Sequence, residues 1–292
     1  MTGLGIVGDN RAVTYRYAVI GNPIRHSRSP AIHQAFARAA GIDLEYTIIE
    51  APLAGFLDAV RSFRGRGGLG LNVTAPFKLE AYGLAEQLSE RARAAGSVNA
   101  LKFESGAVLA DNFDGIGLVR DLEHNLGQAI EGRRLLLLGA GGAARGIVQP
   151  LVAQGPDELV IASRDPSRAR EIGDRFHDGG PVRAGGYDLV GDEGFDLVIN
   201  ATSASMRGEL PPVASTAFRT DGMAYELAYG LGMTPFLTLA RSAGVQRLSD
   251  GVGMLVEQAA ESFAWWRGIR PQTRAMIEAL SVPLARSEGI RR

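Results

Sequence analysis

The chain has 292 residues, of which 31 are Lys or Arg and 32 are Asp or Glu, for a net charge of −1 at pH 7, and it has no cysteine. That length suggests two domains of ordinary size. The balanced charge excludes a broad binder of nucleic-acid backbones, which needs a basic surplus. The missing cysteines exclude disulfides, thiol catalysis and thiolate metal centres. Glycine numbers 38 residues, about twice the usual share of roughly 7%, which marks tight turns and close backbone approach to a ligand.

In chain order, residues 1–15 lack a basic stretch followed by an apolar one, so no targeting segment is read there. Short β-branched runs at Tyr17–Ile20, Glu45–Ile49 and Gly70–Val73 predict strands, and Pro30–Ala40 and Pro52–Phe63 predict helices between them. A short hairpin separates Ala100 from Asp111. A second series of strands follows at Leu135–Leu138, Glu158–Ala162 and Phe195–Asn200, again with helices between. Apolar strands alternating with helices predict parallel sheets covered on both faces. The longest apolar run, Leu135 to Ala144, has ten residues, against about 20 for a membrane span. The reading is a cytoplasmic protein with no membrane partner. Val252–Arg267 predicts a helix with Val252, Leu255, Ala259, Phe263 and Trp266 on one face.

The four leucines from Leu135 run straight into Gly139-Ala140-Gly141-Gly142-Ala143-Ala144. This is strand, G-x-G-x-x-A turn, helix. The first glycine permits the tight turn, Gly141 admits a pyrophosphate to the backbone, and Ala144 allows close helix–sheet packing. The helix N-terminus then faces the anion. About 20 residues on, where such a unit reads the adenosine ribose, stand Ser163, Arg164, Asp165 and Arg168. An acid there accepts from the ribose hydroxyl of NAD, and an arginine pairs with the 2′-phosphate of NADP. The two arginines favour NADP, with NAD open and a plain solvated helix start as the bland alternative.

Three polar clusters mark the first half. Gly21–Pro30 carries Ser27 and Ser29, with Ser29 read as a helix N-cap and Pro30 as the first helical residue. His26 and His33 have no local orienting partner and read as structural. The second cluster, Asn72–Lys78, lies at the carboxyl end of a strand, where open α/β sheets bind ligands. The third joins Ser97–Ala100 to Asp111–Gly115.

Taken together and in this order, GNPIRHSRSPAIH, NVTAPFK, AGSVNAL, DNFDGIG, GAGGAARG, INATS, TPFL and DGVGMLVEQAA resemble the shikimate dehydrogenase family from about Arg16 to Ala279. The resemblance implies an α/β protein of two domains. Residues 1–113 plus 251–292 form an N-terminal α/β substrate domain, and 114–250 a Rossmann dinucleotide-binding domain. It implies interconversion of shikimate and 3-dehydroshikimate with NADP(H), on the way to aromatic amino acids. Carried over, Ser27 and Ser29 hold the substrate carboxylate. Thr74, Asn99, Tyr229 and Gln258 bind ring hydroxyls or carboxylate, and Lys78 and Asp114 form the catalytic dyad. Gly139, Ala140, Gly141, Gly142 and Ala143 hold the pyrophosphate. Ser163, Arg164, Asp165 and Arg168 read the ribose, and Glu90, Leu227 and Gly251 line the cofactor. No metal is implied, and the partner is a small molecule bound by a monomer or homodimer.

Phe113 and Ala100 stand where the family has threonine, Glu226 where it has aspartate, and Asp165 where it has threonine. These departures leave open a paralogue acting on quinate or another shikimate-like hydroxy acid, with NAD. Two further readings are a dehydrogenase of another substrate on a related scaffold, and a nucleotide-sensing protein without catalysis. The paired serines argue against the first, and the retained Lys78 and Asp114 against the second.

Overall fold

The computed structural model describes residues 14–176 and 180–284, so residues 1–13 of the N-terminal stretch lie outside the described residues. Two six-stranded sheets organise the chain. The first is built from β1 (Tyr15–Gly21), β2 (Leu44–Glu50), β3 (Gly68–Val73), β4 (Gln87–Leu88), β5 (Ala100–Glu104) and β6 (Ala107–Asp111), in the order β2-β1-β3-β5-β6-β4. Strands β1, β2 and β3 are parallel, but β5 runs antiparallel to both β3 and β6. The three strands read in the sequence are thus parallel as expected, and the hairpin read after Ala100 makes the sheet as a whole mixed. The β5–β6 pair is set by the Glu104–Ala107 reversal, where Ser105 takes φ 51° and Gly106 φ 86°. A tight turn of that kind joins antiparallel neighbours only.

Side chains alternate across this sheet. Ala18, Ile20, Leu71 and Val73 pack on Phe56, Val60 and Phe63 of α2 (Phe56–Gly65). Tyr17 and Val19 face the other way, where Tyr17 stacks on Trp266 with ring centroids 4.5 Å apart. Helix α2 begins at Phe56, four residues after the predicted start at Pro52. The Gly55 N–H bonds back to the Pro52 carbonyl at 2.8 Å, closing a separate turn before the helix. Helix α1 (Ser29–Ala40) and the C-terminal α9 (Val252–Arg267) cover the second face through Ile32, Phe36, Val256 and Phe263. His33 lies buried there, stacked on Tyr46 with centroids 4.3 Å apart. Desolvation pushes its pKa down to about 3, so it is neutral near pH 7 and serves packing, as its sequence context suggests.

The second sheet holds β7 (Arg134–Leu138), β8 (Glu158–Ala162), β9 (Val182–Gly185), β10 (Phe195–Asn200), β11 (Phe218–Glu226) and β12 (Arg247–Ser249), all parallel, in the order β12-β11-β10-β7-β8-β9. Leu135 and Leu137 enter one core and Leu136 and Leu138 the other, and all four have no exposed surface. That explains why β7 reads as an unbroken apolar run. Helices α6 (Gly142–Val152) and α7 (Pro166–Gly173) follow β7 and β8, and α8 (Pro235–Ser242) follows β11. The order reverses between β7 and β10, the switch point where doubly wound sheets bind ligands.

Between the sheets, α3 (Lys78–Leu84) and α4 (Glu90–Ala95) follow β3 and β4. Helix α5 (Asp114–Arg120) continues as one π turn, Asp121–Asn125, and packs against both α6 and α9. A last helix, α10 (Arg274–Leu280), lies on α9.

Candidate active site

A cavity of about 180 Å³ opens between the sheets, and its lining includes Ser27, Ser29, Thr74, Lys78, Asn99, Asp114, Tyr229 and Gln258. These are the substrate and catalytic residues singled out in the sequence, and they converge from six segments of the chain. Gly21 at the end of β1 delivers the Ser27 loop, and a Cβ there would meet Thr74 Cγ2 at 2.6 Å. The end of β3 delivers Thr74 and Lys78, and the end of β6 delivers Asp114.

The start of α1 differs from its sequence reading. Ser29 is the first helical residue and caps nothing. It is Ser27 whose Oγ accepts the Ser29 N–H, at 3.2 Å. The capping role moves back two residues because Ser29 turns inward, buried beside Tyr46.

The Lys78 Nζ donates to Asp114 Oδ2 at 2.5 Å, with the two side chains 13% and 7% exposed. Asn99 Nδ2 donates to the other carboxylate oxygen at 2.8 Å, and its Oδ1 accepts the Phe113 N–H at 2.9 Å. Asn99 Nδ2 also reaches Gln258 Oε1 at 3.3 Å. The Asp114 N–H donates to Asn112 Oδ1, and Asn112 Nδ2 is held by the Ser97 carbonyl at 2.9 Å. The aspartate is thus fixed at both oxygens and at its backbone, and it holds the lysine in turn. A lysine amine so placed can exchange a proton with a hydroxyl in the cavity. Burial pushes the pKa of the Tyr229 hydroxyl up, while the positive charge of Arg28 acts in the opposite direction. Tyr229 therefore stays a neutral donor near pH 7.

The dinucleotide turn meets this site directly. Gly139 has φ +108°, a conformation that L side chains rarely adopt, and a Cβ there would crowd Ala201 and Thr202 after β10 at 3.2 Å. A Cβ on Gly141 would meet nothing within 4 Å, which leaves its backbone approachable. These features fit a pyrophosphate at the N-terminus of α6. That end of the helix abuts the cavity: Ser97 Oγ donates to the Gly142 carbonyl at 3.4 Å, and Ala143, Leu227 and Gly251 line the cavity itself. Gly139 to Gly142 lie outside the lining, one step along the cleft, and Glu90 opens α4, exposed.

At the tip of β8, Arg164 and Arg168 are exposed. Asp165 caps α7, accepting the Ser167 N–H at 3.1 Å and its hydroxyl at 2.5 Å, and it pairs with Arg168 at 3.3 Å. The Ser167 hydroxyl bond, with smaller help from that helix start and Arg168, holds the Asp165 carboxyl below its usual range. Among the described residues, no group of three or more His, Asp and Glu side chains is placed to hold a metal ion.

Three comparisons bear on this arrangement. Family profiles match in three stretches: the shikimate dehydrogenase substrate binding domain over residues 19–101, shikimate / quinate 5-dehydrogenase over 121–207, and the shikimate 5′-dehydrogenase C-terminal domain over 251–280. The shikimate dehydrogenase (NADP(+)) of Nitrosospira multiformis is 54% identical over 264 residues, covering 90% of this chain and 96% of that protein. The chain belongs to the shikimate dehydrogenase family. Among solved structures, the Ael1 enzyme from Pseudomonas putida superposes with a TM-score of 0.87 at 54% identity, covering 93% of this chain and 100% of that one. The shikimate 5-dehydrogenase from Thermus thermophilus, in complex with NADP(H) and shikimate, gives 0.81 at 29% identity, covering 91% and 98%.

The departures from the family pattern can now be placed. Phe113 is buried off the cavity, its ring 5.7 Å from that of Trp265 and under the Arg91 guanidinium at 5.4 Å. Ala100 is buried in β5 opposite Asp111, and neither residue lines the cavity. Glu226 is buried behind the switch point, accepting from Asn200, Ser205 and Thr234. Burial raises its pKa, and those hydrogen bonds oppose the rise. The sequence reading missed Val19, Ile24, Met254 and Leu255 in the cavity wall. The DGVGMLVEQAA segment contains the last two, but apolar residues carry no chemical signal of their own.

Proposed function

We propose that the chain is an NADP-dependent shikimate dehydrogenase, interconverting shikimate and 3-dehydroshikimate in aromatic amino acid biosynthesis. One observation carries the reading. The buried Lys78–Asp114 pair faces a cavity ringed by hydroxyl and amide groups, with the α6 N-terminus alongside. The named relatives of about half identity act with NADP(+), and the Thermus thermophilus structure holds NADP(H) and shikimate.

In this reading NADP supplies or accepts the hydride when bound. Ser27 and Ser29 take the substrate carboxylate, and Thr74, Asn99, Tyr229 and Gln258 take ring hydroxyls. In oxidation Lys78 Nζ, as the neutral amine, takes the proton of the reacting hydroxyl and becomes the ammonium, and in reduction the ammonium gives that proton to the carbonyl oxygen. Asp114 holds the ammonium in line and offsets its charge. Val19, Ile24, Met254 and Leu255 keep water from the reacting carbon. Gly139 to Ala143 hold the pyrophosphate, and Arg164 and Arg168 the 2′-phosphate, with Ser163 and Asp165 shaping the turn beneath it. Leu227, Gly251 and Glu90 line the cofactor.

The proposed division is residues 1–113 plus 251–292 for substrate and 114–250 for cofactor. We place the enzyme in the cytoplasm, where a freely exchanging nicotinamide pool is available. No helix among the described residues is long and apolar enough to cross a membrane. We propose a monomer or a homodimer as the working form.

The test is an absorbance assay of reduced nicotinamide, pairing shikimate and quinate with NADP and NAD. Shikimate with NADP is expected to give the highest kcat/KM. Absence of shikimate turnover with either cofactor would overturn the assignment.

A further inference from the structure

The cavity lining contains two formal charges, Lys78 and Asp114, and they neutralise each other across 2.5 Å. A carboxylate bound at Ser27 and Ser29 therefore meets hydroxyls but no uncompensated cation inside the cavity. The nearest cation in sequence is Arg28, which stands between those two serines. It is exposed, and it lines a second cavity of about 260 Å³ that shares Tyr229 and Leu255 with the first. Tyr229 and Leu255 thus form a common wall, with Arg28 on its outer side. Residues 279–282, at the end of α10 and beyond, close the far edge of that outer cavity.

The other arginine of the same loop differs. Arg25 is held by Glu50, Nε to Oε2, at 2.8 Å. Arg28 has no ion-pair partner among the described residues, and its charge is felt at the Tyr229 hydroxyl. An unpaired cation beside a concave, partly apolar cavity raises the local concentration of anions and their association rate.

We infer that Arg28 is a specificity-determining residue that selects carboxylate substrates, its charge drawing the anion toward the adjoining Ser27 and Ser29. The inference rests on the proposed shikimate chemistry. It predicts a particular kinetic signature. Arg28 acts on capture of the acid and does not touch the reacting carbon or the cofactor. Its loss should appear in kcat/KM for the acid, should shrink with added salt, and should spare kcat and the KM for NADP. A residue that merely supported the fold would lower all of these and would show no salt dependence.

The experiment compares wild type, Arg28→Gln and Arg28→Lys with shikimate and its uncharged methyl ester, from low ionic strength to about 0.5 M salt, where the Debye length is about 4 Å. Arg28→Gln is expected to lose about three- to tenfold in kcat/KM for shikimate at low salt, and to lose that deficit at high salt. Arg28→Lys should recover most of it. Turnover of the ester, slower in all three proteins, should not distinguish them. Equal salt profiles for wild type and Arg28→Gln would overturn the inference while leaving the shikimate assignment intact. So would a loss expressed in kcat or in the NADP KM. A wild-type enzyme that turns over no shikimate would instead overturn the assignment, and this inference with it.

Discussion

At the residue scale Lys78 and Asp114, the proposed catalytic dyad, are bonded as one unit. The carboxylate accepts from Lys78 on one oxygen and from Asn99 on the other. Lys78→Ala should lower kcat by roughly 10²–10⁴, the usual share of general acid–base catalysis, while NADP binding, followed by fluorescence titration, stays close to wild type. Asp114→Asn should lower kcat as well, and the double variant should lose less than the product of the two single losses. Near-normal turnover in Lys78→Ala would remove the lysine from the mechanism. Asp165 poses a separate question at this scale, because its carboxylate caps α7 and pairs with Arg168. An acid so engaged is turned from a 2′-phosphate toward the helix. Asp165→Ala should lower the melting temperature slightly, with little change in the NADP-to-NAD ratio of kcat/KM. Arg164→Ala should shift that ratio toward NAD. A large gain in NADP preference in Asp165→Ala would show that the acid faces the ribose. Both roles of Asp165 were visible in the sequence as alternatives, because an acid before proline at a helix start serves either. The inward turn of Ser29 was not, because its choice between capping and burial depends on Tyr46, supplied by another strand.

Legibility at the scale of the element follows how local the determinants are. Strand β7 and the turn after it were readable because four leucines and a left-handed glycine declare themselves. Strand β11 was not, because Arg219, Thr220, Asp221 and Gly222 interrupt its apolar run, and its pairing with β10 shifts register there. Helix α10 gives no signal either, since it buries no residue fully. What anchors the chain leading into it is a charge inside α9. Glu257 accepts from Thr273 Oγ1 at 2.7 Å, Asn125 Nδ2 at 3.1 Å, Arg270 Nη2 at 2.6 Å and Arg120 Nε at 3.3 Å. Burial alone would raise its pKa, but the bonds from Thr273, Asn125 and Arg270 outweigh that and hold the carboxyl below its ordinary value. A depressed carboxyl stabilises the fold above its unfolded pKa of about 4.3, and that stability fades as pH falls through the lower folded value. Glu257→Gln should therefore cost about 1.5–3 kcal/mol at pH 7, the worth of a charge-assisted hydrogen bond. The gap to wild type should narrow steadily below about pH 4. Urea unfolding at pH 7 and at pH 3.5 measures both. A gap of equal size at the two values would mean that the charge contributes nothing.

The two sheets are joined through the crossing of α5 with α9. Asp114 begins α5 and Gln258 lies in α9, and both side chains enter the same cavity. The crossing is close because glycines line it. A Cβ on Gly117 would meet the Gln258 backbone nitrogen and Cβ at 2.8 Å and the Met254 carbonyl at 2.9 Å. A Cβ on Gly253 would strike the Asp121 carboxylate. On its other side α5 meets α6, where a Cβ on Gly146 would meet the Asn112 amide at 2.8 Å. Helix α5 is thus seated between the helix that begins at the dinucleotide turn and the helix that carries the substrate-side amide. None of this is legible in the sequence, since the partners lie far apart along the chain and glycine by itself signals many things. It makes Gly117→Ala the sharpest test of the arrangement. At Gly117 φ is not in the left-handed region, so alanine suits the backbone itself and removes unfolded-state freedom. Any loss must come from the crossing. The atoms in the way are mostly backbone, which cannot rotate aside, so α5 and α9 must separate. Overpacking of that kind costs about 1–3 kcal/mol. The separation should also pull Asp114 from Asn99 and Gln258, so kcat/KM for shikimate should fall at temperatures where the variant remains fully folded. NADP affinity should fall less, because α6 and the dinucleotide turn meet α5 on the side away from this crossing. A variant with a lowered melting temperature and wild-type kcat/KM would show that the crossing supports the fold without positioning the dyad.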